Sequence, residues 1–131
     1  MKGLDTNVLV RFLTRDDAAQ AGHAERKIAA LARRGEAMRI DIVVLCELVW
    51  VLRSGYGFDG AAIAGAVEAL TETAAFEVED RELVREAVAL QRAGSADLPD
   101  CLIGLRNRRS GCDTTLTFDR ALRSVDSFSL L

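Results

Sequence analysis

The chain predicts an α/β fold: a short parallel β-sheet sandwiched between α-helices, with residues 1–131 forming a single domain. Three observations predict it. Short apolar runs suited to buried strands alternate with longer stretches of helical periodicity. No linker, repeat or low-complexity segment divides the chain. Hydrophobic residues make up 50% and charged residues 28%, enough for a substantial core; aromatics are only 5%, so that core is mostly Ala, Leu and Val.

Lys2–Asp5 is the first candidate strand. Ala18–Ala32 predicts a helix with Asp16 or Asp17 as cap and Ile28 and Leu31 facing inward. Ala37–Ile40 is the second strand. Ile42–Leu52 is ambiguous, since its Val and Trp content favours strand while its length favours helix; we assign it as a helix held by tertiary packing against its own β-propensity. In Ala61–Ala75, Ile63, Val67 and Leu70 make the seam of a small-residue helix. Phe76–Val78 is a third strand. Arg81–Arg92 predicts a helix with Asp80 as N-cap and Gly94 as stop. Asp100–Arg109 is another, with Pro99 near its start, where a missing N–H costs little. Thr114–Thr117 and Phe128–Leu130 complete the strand candidates.

The net charge of −3 argues against a protein that binds nucleic acid through overall charge. The cations are nevertheless almost all Arg, with Lys only at positions 2 and 27, and Arg106, Arg108 and Arg109 cluster in one segment. Arg forks suit phosphate oxygens; helix ends and salt bridges are the commoner use. Cys46, Cys101 and Cys112 are odd in number and lack C-x-x-C spacing, which points to reduced, buried thiols in a cytoplasmic protein rather than disulfides or zinc. Asp5 and Arg11 break the N-terminal apolar stretch, so no signal peptide is expected, and no run approaches the roughly 18 apolar residues of a membrane span. His23 is the only histidine, which nearly excludes His-based triads and multi-His metal sites.

Against this background four acids stand out: Asp5, Glu47, Asp100 and Asp119. Each sits at the edge of, or inside, an apolar run, and carboxylates seldom follow such runs inward unless paired or metal-bound. Ligands of open parallel sheets bind beyond the carboxyl ends of strands, where Asp5 and Asp119 fall; Asp100 begins a helix and Glu47 reaches from within one. Each has a plainer explanation. Asp5 and Asp119 suit helix or turn caps, Asp100 or its competitor Asp97 suits a cap, and Glu47 suits a salt bridge to an Arg. Two like charges about 5 Å apart repel by roughly 3 kcal/mol at an effective dielectric near 20, so a cluster of four requires cations or protons. Oxygen-only ligands select Mg²⁺ or Mn²⁺. The chemistry that follows is metal-dependent hydrolysis of a phosphodiester with water as nucleophile.

At these residues the sequence resembles PIN-domain nucleases, in particular VapC-type toxins of type II toxin–antitoxin pairs. The resemblance lies in LDTNVLVRFL at Leu4–Leu13, VVLCELVWVL at Val43–Leu52, ADLPDCLIGLRNRRSGC at Ala96–Cys112 and TLTFDRAL at Thr115–Leu122, in the family's order and spacing. D-T-N alone is a weak motif; with the embedded Glu, the A-D-x-x-D-x-L-I segment and T-F-D it is specific. The resemblance implies a PIN-like fold and a Mg²⁺- or Mn²⁺-dependent endoribonuclease. Asp5, Glu47, Asp100 and Asp119 fall on the acidic quartet that catalyses and binds metal, and Asp97 is an additional supporting acid. Thr6, Asn7 and Thr117 would hydrogen-bond ligands or orient the acids. Arg106, Arg108 and Arg109 would touch the RNA backbone.

The resemblance further implies a tRNA or rRNA substrate, a homodimer, and inhibition by a cognate VapB-type antitoxin. Such an antitoxin lies over a hydrophobic groove and inserts an Arg into the acidic pocket. Leu9, Phe12, Leu13, Val51 and Leu52 are candidate groove residues, although core packing is the commoner role for each. The Ala-rich middle helices are the candidate dimer surface. Pro99 departs from the small residue that similar sequences carry and bears on the choice between Asp97 and Asp100, in which Asp100 is favoured. A haloacid-dehalogenase-type phosphatase wants a second acid where Asn7 stands and a later Lys that is missing. The competing reading from another class is a non-catalytic binding or regulatory module whose acids hold a structural cation.

Overall fold

A computed structural model describes all residues 1–131. The chain divides into two compact units, Met1–Arg81 and Glu82–Leu131.

The first unit contains three strands and four helices. Strands β1 (Lys2–Gly3), β2 (Met38–Ile40) and β3 (Phe76–Val78) form a parallel sheet in sequence order. Lys2 aligns with Met38, and Met38 in turn with Phe76. Helices α1 (Thr6–Thr14) and α2 (Ala18–Arg33) connect β1 to β2; α3 (Ile42–Tyr56) and α4 (Gly60–Glu72) connect β2 to β3. β1 is shorter than Lys2–Asp5 because Leu4 gives its last sheet bond to the Arg39 carbonyl and the chain then turns into α1 at Asp5.

The helix starts are chemically explicit. Asp17, Asp41 and Asp59 sit in extended conformation at the N-caps of α2, α3 and α4 and accept from the backbone N–H groups of Gln20, Val43 and Ala62. α3 is a helix despite its β-branched run. Its Ile42, Leu45, Leu48, Val49 and Leu52 are buried, and this stripe outweighs the propensity of single residues. Gly57 ends it at φ 68, with its N–H on the Arg53 carbonyl and the Phe58 N–H on the Leu52 carbonyl. These two bonds close the last turn, and the left-handed backbone at Gly57 is one that a side-chain Cβ would oppose. On the core side, Phe12 of α1 meets Phe76 of β3 edge to face at 5.9 Å.

The second unit comprises α5 (Arg81–Ala93), α6 (Leu98–Arg109), β4 (Thr115–Thr117), a 3₁₀ turn at Arg120–Leu122 and β5 (Phe128–Leu130). β4 and β5 pair in parallel, Thr115 opposite Phe128. Leu83, Val84, Ala87 and Val88 make the buried stripe of α5. Asp80 is not its N-cap in the expected sense, because its φ of 48 is left-handed while a capping residue is extended. α6 starts before Asp100: Asp97 holds the N-cap position and Pro99 lies in the first turn. The five strands thus form a three-stranded and a two-stranded sheet.

No cysteine forms a disulfide; Cys101 is buried, Cys46 half-buried and Cys112 exposed, so the expectation of buried thiols fails at Cys112. No helix is long and apolar enough to cross a membrane.

Candidate active site

In the first unit, the turn from β1 into α1 presents Asp5, Thr6 and Asn7. Asp5 has extended backbone at the N-cap position, and its carbonyl accepts from the N–H groups of Val8 and Leu9. Its carboxylate makes no capping hydrogen bond and is exposed. The side-chain capping explanation therefore fails for this acid, and its carboxylate faces solvent. Thr6 is 2% exposed, and its hydroxyl donates to Glu47 Oε2 at 2.9 Å, tying α1 to α3. The partner of Glu47 is thus a neutral hydroxyl rather than the arginine of the plainer reading. Glu47 is also exposed, on a face of α3 that carries Val43 and Trp50, both about two-thirds exposed. The helix assigned as held by tertiary packing therefore keeps one face in solvent. Asn7 is exposed beside the groove described below.

In the second unit, Asp97 and Asp100 lie one helical turn apart at the start of α6, where the helix dipole favours negative charge. The Asp97 side chain forms no capping hydrogen bond. Asp100 is half-buried, and its carboxyl holds its proton more tightly than an ordinary aspartate; burial is the main cause, followed by the charges of Asp97 and Asp119. The neighbouring Cys101 thiol is pushed up to about 11 by burial and by the same two helix acids, which makes it inert as a nucleophile. Asp119 is exposed just beyond β4, the end at which open parallel sheets bind ligands. Its carboxylate accepts from the Ala121 N–H at 2.9 Å, and its own N–H donates to Thr117 Oγ1 at 3.0 Å. Thr117 thereby fixes the backbone that carries Asp119.

The second unit thus brings Asp97, Asp100 and Asp119 within electrostatic reach of one another, and the first brings Thr6 to Glu47. In neither unit do three or more His, Cys, Asp or Glu side chains converge closely enough to hold a metal ion. The donor chemistry still suits a hard cation: the acids are all oxygen donors, and Asp100 carries a repulsion that a cation would relieve.

Of the three arginines after Asp100, Arg108 donates to the Asp126 carbonyl at 2.7 Å and Arg109 approaches Glu86 at 4.0 Å, whereas Arg106 is exposed. Two of the three thus serve the second unit itself.

The first unit also holds a groove of about 470 Å³ walled by α1, α2 and β1. Leu4, Val8, Ala24, Ile28 and Leu31 line it, with Arg11, Gln20, His23 and Lys27 among its polar residues. Of the candidate groove residues, Leu9 and Leu52 are instead fully buried core, and Phe12, Leu13 and Val51 are half-buried and outside this lining. The apolar stripe of α2 was the available signal for the wall of this groove. Ala24, Ile28 and Leu31 have helical spacing, and a stripe that reads as core also serves as a groove floor when nothing covers it.

Residues 3–127 match the family model described as PIN domain. The chain is also 29% identical over 125 residues to a VapC ribonuclease from Aquifex aeolicus (strain VF5), covering 95% of this chain and 92% of that protein. No solved structure gives a significant match. With the family model spanning almost its whole length, this chain belongs to the PIN-domain family.

Proposed function

We propose that this protein is a metal-dependent endoribonuclease, the toxin of a type II toxin–antitoxin pair. The observation that carries the activity is the likeness to a ribonuclease over 95% of the chain. Asp5, Glu47, Asp100 and Asp119 act as the catalytic and metal-binding acids, with Asp97 in support. A divalent cation, Mg²⁺ or Mn²⁺, supplies Lewis-acid activation of water and of the phosphate. Asp100 fits that role because its burial beside Asp97 and Asp119 stores a repulsion that cation binding removes.

The remaining residues position these acids. Thr6 holds one Glu47 oxygen, leaving the other to accept a proton or orient a water. Thr117 fixes the turn that presents Asp119. Arg106 offers its guanidinium to the RNA backbone. The substrate is a tRNA or rRNA.

A cognate VapB-type antitoxin is the proposed inhibitor, and the apolar groove between α1 and α2 gives it a seat. The protein acts in the cytoplasm as a homodimer. The exposed Ala61, Ala62, Gly65 and Ala69 on α4 form a small-residue face suited to close packing with a second copy.

The test is RNA cleavage by purified protein. Cleavage should require Mg²⁺ or Mn²⁺, stop with chelator, and be lost in Asp100→Asn. Unchanged cleavage in chelator would remove the metal mechanism. Growth arrest on expression, relieved by Asp5→Asn, would separate the toxin from a non-catalytic module, which accumulates harmlessly.

A further inference from the structure

The chain has seven aromatic residues: five Phe, one Trp and one Tyr. Phe76 and Phe128 are buried, and Phe12, Tyr56 and Phe58 are half-buried. Two rings remain in solvent, Trp50 at 68% and Phe118 at 83% exposure. Both adjoin a proposed catalytic acid. Trp50 follows Glu47 by three positions on the same exposed face of α3, and Phe118 immediately precedes Asp119. An isolated exposed aromatic is ordinary. Here both of the well-exposed rings stand beside site carboxylates, in a chain that buries or half-buries the other five.

A large ring left in water forgoes burial that would stabilise the fold, so its position invites a ligand with a flat face. The ribonuclease reading supplies one. Unpaired bases stack on aromatic side chains irrespective of sequence, while paired bases keep their faces covered by neighbours. On a helix, side chains three positions apart are neighbours, about 5–6 Å between Cβ atoms. That spacing lets one element offer a carboxylate to a phosphate and a ring to an adjoining base. The exposed Arg120 beside Asp119 adds a cation for the backbone of the same strand.

We propose that Trp50 and Phe118 are base-stacking residues, each holding an unpaired nucleobase beside the carboxylate it adjoins. Such stacking takes an unpaired base, which single-stranded RNA exposes and a duplex covers. The inference rests on the ribonuclease reading above and assigns two side chains to contact with the substrate. The stacking rings bind and position RNA; they take no part in the chemistry.

Trp50 is the only tryptophan, so fluorescence of the full-length protein excited selectively at the indole reports on it alone. The protein is titrated in chelator, so that it binds without cleaving, with a mixed-sequence single-stranded RNA oligonucleotide and with the duplex of the same sequence. Anisotropy of labelled RNA measures affinity independently. Single-stranded RNA should quench Trp50 emission saturably, and the duplex should do so far less. Trp50→Ala and Phe118→Ala should each weaken single-strand affinity by about fivefold to a hundredfold, the range of one base–aromatic stack. Trp50→Phe and Phe118→Tyr, which keep a ring, should stay within about threefold. With divalent cation restored, the Ala variants should raise KM more than they lower kcat.

Three results would overturn the inference while leaving the ribonuclease reading intact. RNA could bind fully without changing Trp50 emission. The Ala variants could bind and cleave like the unaltered protein. Trp50 emission and sedimentation could change together with protein concentration in the absence of RNA, which would assign Trp50 to a contact between copies. If the unaltered protein neither binds nor cleaves RNA, the ribonuclease reading fails and this inference with it.

Discussion

Gly104 on α6 offers a sharp test of how the acids of the second unit are held. A Cβ placed there would lie 2.2 Å from Ser127 Oγ and 2.9 Å from both Ser127 Cβ and the Phe128 ring edge. The hydroxyl can rotate away, and the ring can tilt. Ser127 Cβ cannot move without its backbone, which is tied to β4 because the Ser127 carbonyl accepts from the Thr115 N–H at 2.8 Å. Reaching ordinary contact needs a shift of roughly 1 Å in α6 or in the Ser127–Phe128 segment, a distortion that costs about 1–3 kcal/mol. Alanine regains up to about 1 kcal/mol of helix propensity. With the full propensity regained, the net loss for Gly104→Ala is then up to about 2 kcal/mol, a fall in Tm of up to roughly 8 °C for a chain of this size. α6 also carries Asp97 and Asp100, so cleavage should fall in the variant even at temperatures where it is fully folded. Adding Ser127→Gly removes the two closest contacts, and in that background Gly104→Ala should cost at least about 0.5 kcal/mol less. Thermal denaturation of the four proteins of this cycle, with cleavage assays on each, measures both effects. A Gly104→Ala protein as stable and active as the unaltered one would refute the close approach of α6 to Ser127.

Other consequences concern the acids themselves. The raised carboxyl of Asp100 makes the folded state bind its proton more tightly than the unfolded state, so this residue's contribution to stability is full below the ordinary value of 3.8 and is lost as pH rises through its folded value. Metal-free Asp100→Asn should therefore match the parent in acid and exceed it at neutral pH, by an amount that solvent screening keeps small; urea midpoints against pH check this. The same variant should lose the rise in Tm that saturating Mg²⁺ or Mn²⁺ gives the parent, about 2.7 kcal/mol of stabilisation at one hundred times Kd. Asp16 should show the opposite pH dependence. The Tyr56 hydroxyl, chiefly, and then Thr14 and Arg11 hold its carboxyl below the ordinary value, so its contribution is present above 3.8 and fades as pH falls through the folded value. The stability gap between the parent and Asp16→Asn should accordingly close in acid. Thr6→Val should cost about 1 kcal/mol by leaving Glu47 without its donor and should lower kcat, while Thr6→Ser should keep most of both; equal activity in the two variants would detach Thr6 from the site.

The comparison of sequence with structure turns on where burial decides. Most helices were legible because local chemistry marks them: Asp17 and the stripe of α2 are visible in the residues, and the length of the apolar run marks α3 as a helix against its own Val content, whereas α1 was not assigned and α3 runs past Leu52 to Tyr56. Phe76–Val78 and Phe128–Leu130 came out as predicted. Asp80 misled because an Asp before a helix looks the same whether its backbone is extended or left-handed. The four acids were found through their apolar neighbours, yet the reasoning that those runs draw them inside holds only in part. Asp5, Glu47 and Asp119 are exposed, and Asp100 is half-buried. A helix with five buried positions still has an outer face, and Val43, Glu47 and Trp50 occupy it together. Apolar residues around an acid therefore identify an element that enters the core, and the acid's own position on that element decides whether it faces solvent. For Glu47 that distinction matters to function. A carboxylate in the core would need a partner within the protein, whereas Glu47, held by Thr6 on the outer face of α3, stands in solvent where a ligand of the proposed site could reach it.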